Sequence, residues 1–123
     1  MIDCNFVLLY VQSPAASAAF YGGLLDRPPV ESSPLFAMFV MPSGVKLGLW
    51  ARDNVEPKVT GHNGGGELIF PVADDEAVDR AHADWRGRGI AIAQAPTAMD
   101  FGRTFVGLDP DGHRLRIVAP VAS

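Results

Sequence analysis

Short apolar runs, separated by glycine, proline and polar residues, follow one another along the chain, and the first two predict a strand and a helix. Residues 5–12 are rich in valine and leucine, which is typical of a buried strand. Ser13 and Pro14 are residue types favoured at a helix N-cap and at the first helical position. The apolar side chains spaced to form one stripe on this helix are Ala16, Ala19, Phe20 and Leu24. Three short strands are then predicted near residues 29–33, 35–41 and 45–51.

The second half of the chain repeats this order of elements. After a polar, glycine-rich connection over residues 52–66, which we interpret as flexible, a strand is predicted over residues 67–73. The next helix has an acidic first turn and a basic last turn, which complement the helix dipole. Its apolar stripe is Val78, Ala81 and Trp85, and strands are predicted near 90–95, 103–108 and 114–119. Because matching Val11 with Val72 superimposes the two predicted helices, we interpret the chain as a degenerate internal repeat.

Each predicted strand has one uniformly apolar face and one mixed face, because side chains alternate along a strand. The apolar faces are expected to pack on the helices. The mixed faces carry aromatic, apolar and charged side chains, among them Phe6, Leu8, Tyr10, Trp50, Glu67, Ile69 and Arg116. A curved surface lined in this way is typical of a small-molecule site. A second core or a dimer interface accounts for the same pattern equally well.

The composition indicates one compact domain and disfavours several classes of protein. The chain has 123 residues, a mass of 13.1 kDa and 48% hydrophobic residues, which is enough for a core. A formal charge of −4 disfavours nucleic acid and anionic membranes as partners. Cys4 is the single cysteine, the N-terminal residues lack a secretory pattern, and no apolar run nears the ~20 residues that span a bilayer. We therefore expect a cytoplasmic single domain with modules over about 1–55 and 66–123, joined by a linker over about 56–65.

Several segments resemble the vicinal oxygen chelate superfamily, which groups glyoxalases, bleomycin resistance proteins and extradiol dioxygenases. Its opening is similar to Phe6-Val7-Leu8-Leu9-Tyr10-Val11 followed by the Ser-Pro helix start. Its closing hairpin resembles Phe101-Gly102-Arg103-Thr104-Phe105 and Asp109-Pro110-Asp111-Gly112-His113. The resemblance implies an α+β fold of two βαβββ modules, whose strands form an incomplete barrel around a cup, and it implies a homodimer.

The resemblance also identifies the positions at which the enzymes of the superfamily bind a divalent metal. These positions usually hold His, then His or Glu, then Glu, whereas this chain has Phe6, Glu67 and Arg116. Phenylalanine has no lone pair to donate, and arginine carries a fixed positive charge. We therefore predict no metal, no cofactor and no catalytic residue at these positions. As a hypothesis, Glu67 and Arg116 form an ion pair in place of the metal.

Within the superfamily, the chain is most similar to the antibiotic-binding resistance proteins of the phenazine type. The similarity lies in Leu47-Gly48-Leu49-Trp50, in residues 100–105 and in the turn at 109–113. It implies that Trp50 stacks on a planar drug, with Phe6, Phe36 and Phe39 as further candidates and Glu67 or Arg116 orienting polar substituents. We predict a non-enzymatic protein that sequesters a planar aromatic ligand. The alternatives are a metal-dependent lyase, isomerase or dioxygenase of the same superfamily, and a sensor or interaction module.

Overall fold

The computed structural model describes residues 2–121, within which the chain forms two compact units that divide after Gly61. The first unit contains β1 (Phe6–Val11), α1 (Pro14–Leu25), β2 (Glu31–Ser33), β3 (Phe36–Val40) and β4 (Lys46–Ala51). The second contains β5 (Glu67–Pro71), α2 (Asp75–Gly87), β6 (Ile92–Met99), β7 (Gly102–Leu108) and β8 (Arg114–Pro120). The predicted α+β class and the repeated order of strand, helix and three strands are confirmed.

The two sheets share one topology. Their strand orders are β1-β4-β3-β2 and β5-β8-β7-β6, and in each the first and last strands of the unit pair in parallel while the other pairs are antiparallel. Each helix covers one face of its own sheet. The opposite face of each sheet is called the helix-free face. The strand register defines which residues lie on each helix-free face. On the first sheet these residues are Phe6, Leu8, Tyr10, Phe36, Met38, Lys46, Gly48 and Trp50. On the second sheet they are Glu67, Ile69, Gln94, Thr97, Thr104, Val106, Arg114 and Arg116.

The start of α1 agrees with the sequence prediction. Ser13 is the N-cap and its Oγ accepts a hydrogen bond from the backbone N–H of Ala16 at 3.1 Å, while Pro14 occupies the first turn. The helix ends at Asp26, whose φ of 53° places it in the left-handed region that carboxylate and amide side chains tolerate. Its backbone N–H donates to the carbonyl of Gly22. Both ends of α1 are therefore capped.

The buried face of α1 differs from the predicted stripe. The buried residues are Pro14, Ser17 and Tyr21, whereas Ala16 and Ala19 are exposed. The prediction was wrong because this helix is apolar around most of its circumference, so the apolar spacing does not single out one face. The large ring of Tyr21 fits against the sheet, and the small alanines lie outside.

The helix α2 matches its prediction closely. Asp74 is the N-cap and its Oδ1 accepts from the backbone N–H of Ala77 at 2.8 Å. Val78 and Trp85 are buried, as predicted. The Trp85 ring meets the Phe105 ring edge to face at 5.0 Å and also covers Gly107, where a Cβ atom would lie 2.6 Å from the indole. The β7 strand therefore turns Phe105 and Gly107 towards α2.

Two segments differ in detail from their predicted form. Strand β6 continues to Met99, beyond the predicted end near residue 95, with register shifts on both sides of Gln94. Pro96, which has no N–H to donate, lies where the register shifts. In the connection predicted as flexible, residues Arg52–Asn54 form a short 3₁₀ helix and Val55 is buried. The polar composition of this segment gave no indication that Val55 is buried.

The turn between β7 and β8 forms as predicted. The backbone N–H of Gly112 donates to the carbonyl of Asp109 at 3.0 Å, and Gly112 has a φ of 84°. Asp109 is buried and its Oδ1 accepts from the backbone N–H groups of Asp111 and His113. Its Oδ2 lies 2.7 Å from Nδ1 of His113. The aspartate thus holds the turn from inside, and His113 has a structural role.

Within residues 2–121, neither helix combines the length and the hydropathy that crossing a bilayer requires.

Candidate functional site

The helix-free face of the first sheet carries a row of three aromatic residues. Trp50 in β4 pairs with Tyr10 in β1 on one side and with Phe36 in β3 on the other. All three residues are half-buried. Because neighbouring strands lie about 4.8 Å apart, the row extends across three strands. It offers aromatic surface of the kind on which a flat molecule stacks.

Gly48 supports the apolar surface beside this row. A Cβ atom at Gly48 would lie 2.7 Å from Cε1 of Phe6 and 2.8 Å from Cδ1 of Leu8. The Phe6 and Leu8 side chains therefore lie directly over the backbone of β4, in space that only glycine leaves vacant. Phe6 remains 38% exposed, so one part of its ring stays accessible. Because Gly48 has no side chain, Phe6 and Leu8 extend the apolar surface beside the aromatic row.

Two polar atoms of the aromatic row have no hydrogen-bond partner within the described residues. Among residues 2–121, neither the hydroxyl of Tyr10 nor the indole N–H of Trp50 makes a hydrogen bond, and neither atom is buried. Tyrosine and tryptophan in contact with a ligand usually use these groups as polar handles. The first sheet therefore offers ring surface together with two donors, one of which also accepts.

Arg116 is the centre of the polar cluster on the helix-free face of the second sheet. Its Nε donates to Oε1 of Glu67 at 2.6 Å, which confirms the predicted ion pair. Its Nη1 donates to Oε1 of Gln94 and to Oγ1 of Thr104, both at 3.2 Å. The Thr104 hydroxyl donates in turn to the backbone carbonyl of Ile117 at 2.7 Å. Four strands thus fix one guanidinium.

Apolar side chains adjoin this polar cluster. The guanidinium carbon of Arg116 lies 5.7 Å from the centre of the Phe101 ring, a cation–π distance. Ile69 follows Glu67 on the same face of β5 and is 57% exposed. Phe101 is also exposed. Exposed apolar side chains next to a half-buried ion pair are typical of a surface that contacts another molecule.

The structure places eight of the nine predicted site residues on helix-free faces. Phe6, Leu8, Tyr10, Phe36 and Trp50 share the face of the first sheet, and Glu67, Ile69 and Arg116 share that of the second. Phe39 lies elsewhere: it is fully buried on the helix-covered face, where its ring comes near Gly22 of α1. Phe36 and Phe39 are three residues apart and point to opposite faces, and the pairing of β3 with β4 decides which of the two faces the helix.

Sequence reasoning missed three residues that contact Arg116. Thr104 and Phe101 belong to a segment that resembles the superfamily, but the inward face of β7 was not determined by its pattern. Gln94 lies next to the register shifts of β6, where the alternation of side chains is interrupted. These neighbours of Arg116 could be found only by knowing which residues of β6, β7 and β8 are paired.

The residues at the metal positions of the superfamily do not fit a metal ion. Phe6 has no donor atom, and the positive guanidinium of Arg116 occupies Oε1 of Glu67. Within residues 2–121, no three His, Cys, Asp or Glu side chains are grouped as ligands. Of the three positions, only Glu67 supplies a chelating atom, so this donor set lacks what a chelate site needs.

A separate depression of about 370 Å³ lies at one end of the second sheet. It is lined by residues from the ends of β6, β7 and β8 together with Asp75 at the start of α2. None of the predicted site residues lines it, and its arginine, Arg103, is bound to Asp79 at 2.9 Å. We therefore take the helix-free face of each sheet, considered by itself, as a candidate surface instead.

Two βαβββ units, each with a four-stranded mixed sheet covered by one helix, define a recognised class of α+β fold. The family model of the Glyoxalase/Bleomycin resistance protein/Dioxygenase superfamily matches residues 4–117, and the chain belongs to this superfamily. The resemblance predicted from the sequence is thereby confirmed.

Individual relatives agree with this assignment. A phenazine antibiotic resistance protein, EhpR of Enterobacter agglomerans, is 28% identical over 119 residues, which cover 94% of this chain and 91% of that protein. A protein of Agrobacterium tumefaciens, solved by solution NMR, is 50% identical, with a TM-score of 0.91 over 99% of this chain and 100% of that one. A glyoxalase-related enzyme from Fulvimarina pelagi has 22% identity and a TM-score of 0.83 over 100% of this chain and 94% of that one, a likeness of fold alone.

Proposed function

We propose that this protein binds a planar aromatic, antibiotic-like molecule and holds it without converting it. The row formed by Tyr10, Trp50 and Phe36 is the observation that carries the proposal. The relative from Enterobacter agglomerans is named as a phenazine resistance protein, and phenazines are flat three-ring aromatics. Stoichiometric capture of such a molecule would protect a cell from it.

The physical basis of the proposed binding is ring stacking on a surface that is already assembled. An aromatic pair contributes roughly 0.5–1.5 kcal/mol beyond the burial of its area. Burial itself contributes about 25 cal/mol for each Å² of apolar surface removed from water. The strand register holds Tyr10, Trp50 and Phe36 side by side, so the backbone that carries the row needs no rearrangement on binding.

The chemistry of the residues at the positions where the superfamily's enzymes bind metal supports binding without turnover. A catalyst of this superfamily would use a chelated divalent ion to polarise an oxygen atom. In this chain Arg116 binds the carboxylate of Glu67 and Phe6 offers no donor atom. The resemblance to the superfamily implies a homodimer, and the proposal includes a homodimer in the cytoplasm that binds one ligand per protomer.

The proposal is tested by measuring binding of phenazine and acridine by calorimetry, with cyclohexylbenzene as a non-planar control. We expect Trp50→Ala to weaken binding of both flat compounds at least tenfold and Trp50→Phe to weaken it less, because the smaller ring still stacks. Phe20→Ala, which removes a half-buried ring from α1, is the matched control and should leave affinity unchanged. Failure of both flat compounds to bind the wild type would refute the function. Unchanged affinity in Trp50→Ala would refute the stacking role.

A further inference from the structure

We propose that Lys46 makes the aromatic row of the first sheet selective for acidic ligands, by pairing its ammonium group with a carboxylate at one end of a planar ring system. The inference rests on the proposed function, because it names the class of aromatic molecule that the row formed by Tyr10, Trp50 and Phe36 would take. It uses residues of the first unit only, whose sheet carries both the row and the lysine.

The strand register places Lys46 in the same strand, and on the same face, as the central residue of the aromatic row. In β4 the residues Lys46, Gly48 and Trp50 lie on the helix-free face, while Leu47 is buried on the other. Four residues separate Lys46 from Trp50, so their Cα atoms are about 13 Å apart at the rise of a strand. The four-carbon stem of a lysine can shorten the distance that remains for a ligand. A molecule of three fused rings with an acid group at one end suits this spacing.

The surface between the lysine and the tryptophan is apolar. Gly48 lies midway between them, and the space that a Cβ atom would fill there is bordered by Cε1 of Phe6 at 2.7 Å and Cδ1 of Leu8 at 2.8 Å. Aromatic and aliphatic atoms therefore lie over this part of β4. Because apolar surroundings lower the effective dielectric constant, they strengthen the attraction between a charge at their border and an opposite charge on a ligand.

Two cations lie at the end of the first sheet where Lys46 is found. Lys46 is half-buried, and none of the ion pairs within residues 2–121 includes it. Arg27 is also half-buried, and its Nη1 donates to the backbone carbonyl of Val40 at 2.6 Å. Val40 is the β3 residue that pairs with Lys46. Partly buried charges are screened less by salt than exposed ones, so this end of the sheet favours an anion.

The carboxylates of the same unit that lie nearest in the chain or on the same face are exposed. Asp3 precedes β1, Asp26 precedes Arg27, and Glu31 shares the helix-free face through its pairing with Met38. Water and salt screen all three. Glu31 lies in β2, two strands away from β4, so it repels an acid group from that edge of the sheet. The face is therefore polarised, and an acidic ligand has one preferred orientation on it.

The test compares phenazine, phenazine-2-carboxylate and phenazine-2-carboxamide by calorimetry on the full chain at pH 8 and low salt. We expect the wild type to bind the carboxylate about tenfold more tightly than the carboxamide, as is typical of one hydrogen bond to a charged group. Lys46→Met removes the charge and keeps an apolar stem, so this ratio should fall to near one, whereas Lys46→Arg should retain most of it. Lys58→Gln removes the other lysine of the chain from an exposed position and is the matched control, which should leave the ratio unchanged.

The outcomes separate this inference from the function on which it rests. If phenazine binds and the two substituted compounds bind equally well, the acid group is not recognised and only the inference fails. If the preference for the carboxylate survives in Lys46→Met, another group recognises the acid and the assignment to Lys46 is wrong. If none of the three compounds binds the wild type, the proposed function fails together with the inference. A preference that Lys46→Met abolishes, and that about 0.5 M NaCl weakens in the wild type, supports the pairing.

Discussion

At two glycines, Gly48 and Gly107, an aromatic ring lies in the space that a Cβ atom would fill. The surroundings of the two rings predict different losses of stability when each glycine is replaced by alanine. At Gly107 the new Cβ would lie 2.6 Å from the buried indole of Trp85, which has no room to move. At Gly48 it would lie 2.7 Å from the Phe6 ring, which is partly exposed and can swing away. We expect Gly107→Ala to lower the free energy of unfolding by about 1–3 kcal/mol, and Gly48→Ala to lower it by clearly less.

Urea denaturation of both variants measures this difference, and ligand calorimetry provides the complementary result. Gly48→Ala should weaken binding of phenazine, because the displaced Phe6 and Leu8 side chains lie beside the aromatic row. Gly107→Ala should leave the affinity of the folded fraction unchanged, since Gly107 faces α2. Equal losses of stability in the two variants would show that the exposure of the neighbouring ring does not set the cost.

At the scale of elements, the orientation of α1 gives a sharp prediction. Ser17 is fully buried, whereas Ala19 is exposed although the apolar spacing placed it in the core. Ser17→Glu should destabilise the protein by several kcal/mol, because it buries an unpaired charge. Ala19→Glu should change the free energy of unfolding by no more than about 0.5 kcal/mol, as is usual for surface sites. Thermal melts followed by circular dichroism measure the stability of both variants. A severe loss of stability in Ala19→Glu would support the helix orientation predicted from the apolar spacing and contradict the one in the structure.

The same contrast explains which elements could be predicted from the sequence. In α2 charged residues cover one side, so Val78 and Trp85 could be assigned to the core by spacing alone. In α1 alanine and glycine leave little contrast around the helix, and the choice of face depends on the fit of Tyr21 against the sheet. Strand alternation was equally informative for β1, β4 and β8, whose core faces were predicted correctly.

The candidate site was predictable where it depends on alternation within a strand and not where it depends on pairing between strands. The pairing of Glu67 with Arg116 was anticipated from their two positions in the resembling family. The hydrogen bonds of Arg116 to Gln94 and Thr104 depend on the register of β6 and β7, which bulges alter. Phe39 was misplaced for the related reason that the inward face of β3 follows from its pairing with β4.

At the scale of the whole molecule, capture and catalysis differ in how the ligand is consumed. A protein that only sequesters its ligand should be saturated at one phenazine per 13.1 kDa chain, and the ligand should be recovered unchanged when the protein is denatured. Added Ni²⁺, Zn²⁺, Mn²⁺ or Fe²⁺ should leave the melting temperature and the titration endpoint unaltered, because a metal at Glu67 must first displace Arg116. Liquid chromatography with mass spectrometry after overnight incubation measures recovery, and light scattering should give a mass about twice that of the chain. A product that accumulates beyond one equivalent, with or without added metal, would contradict sequestration.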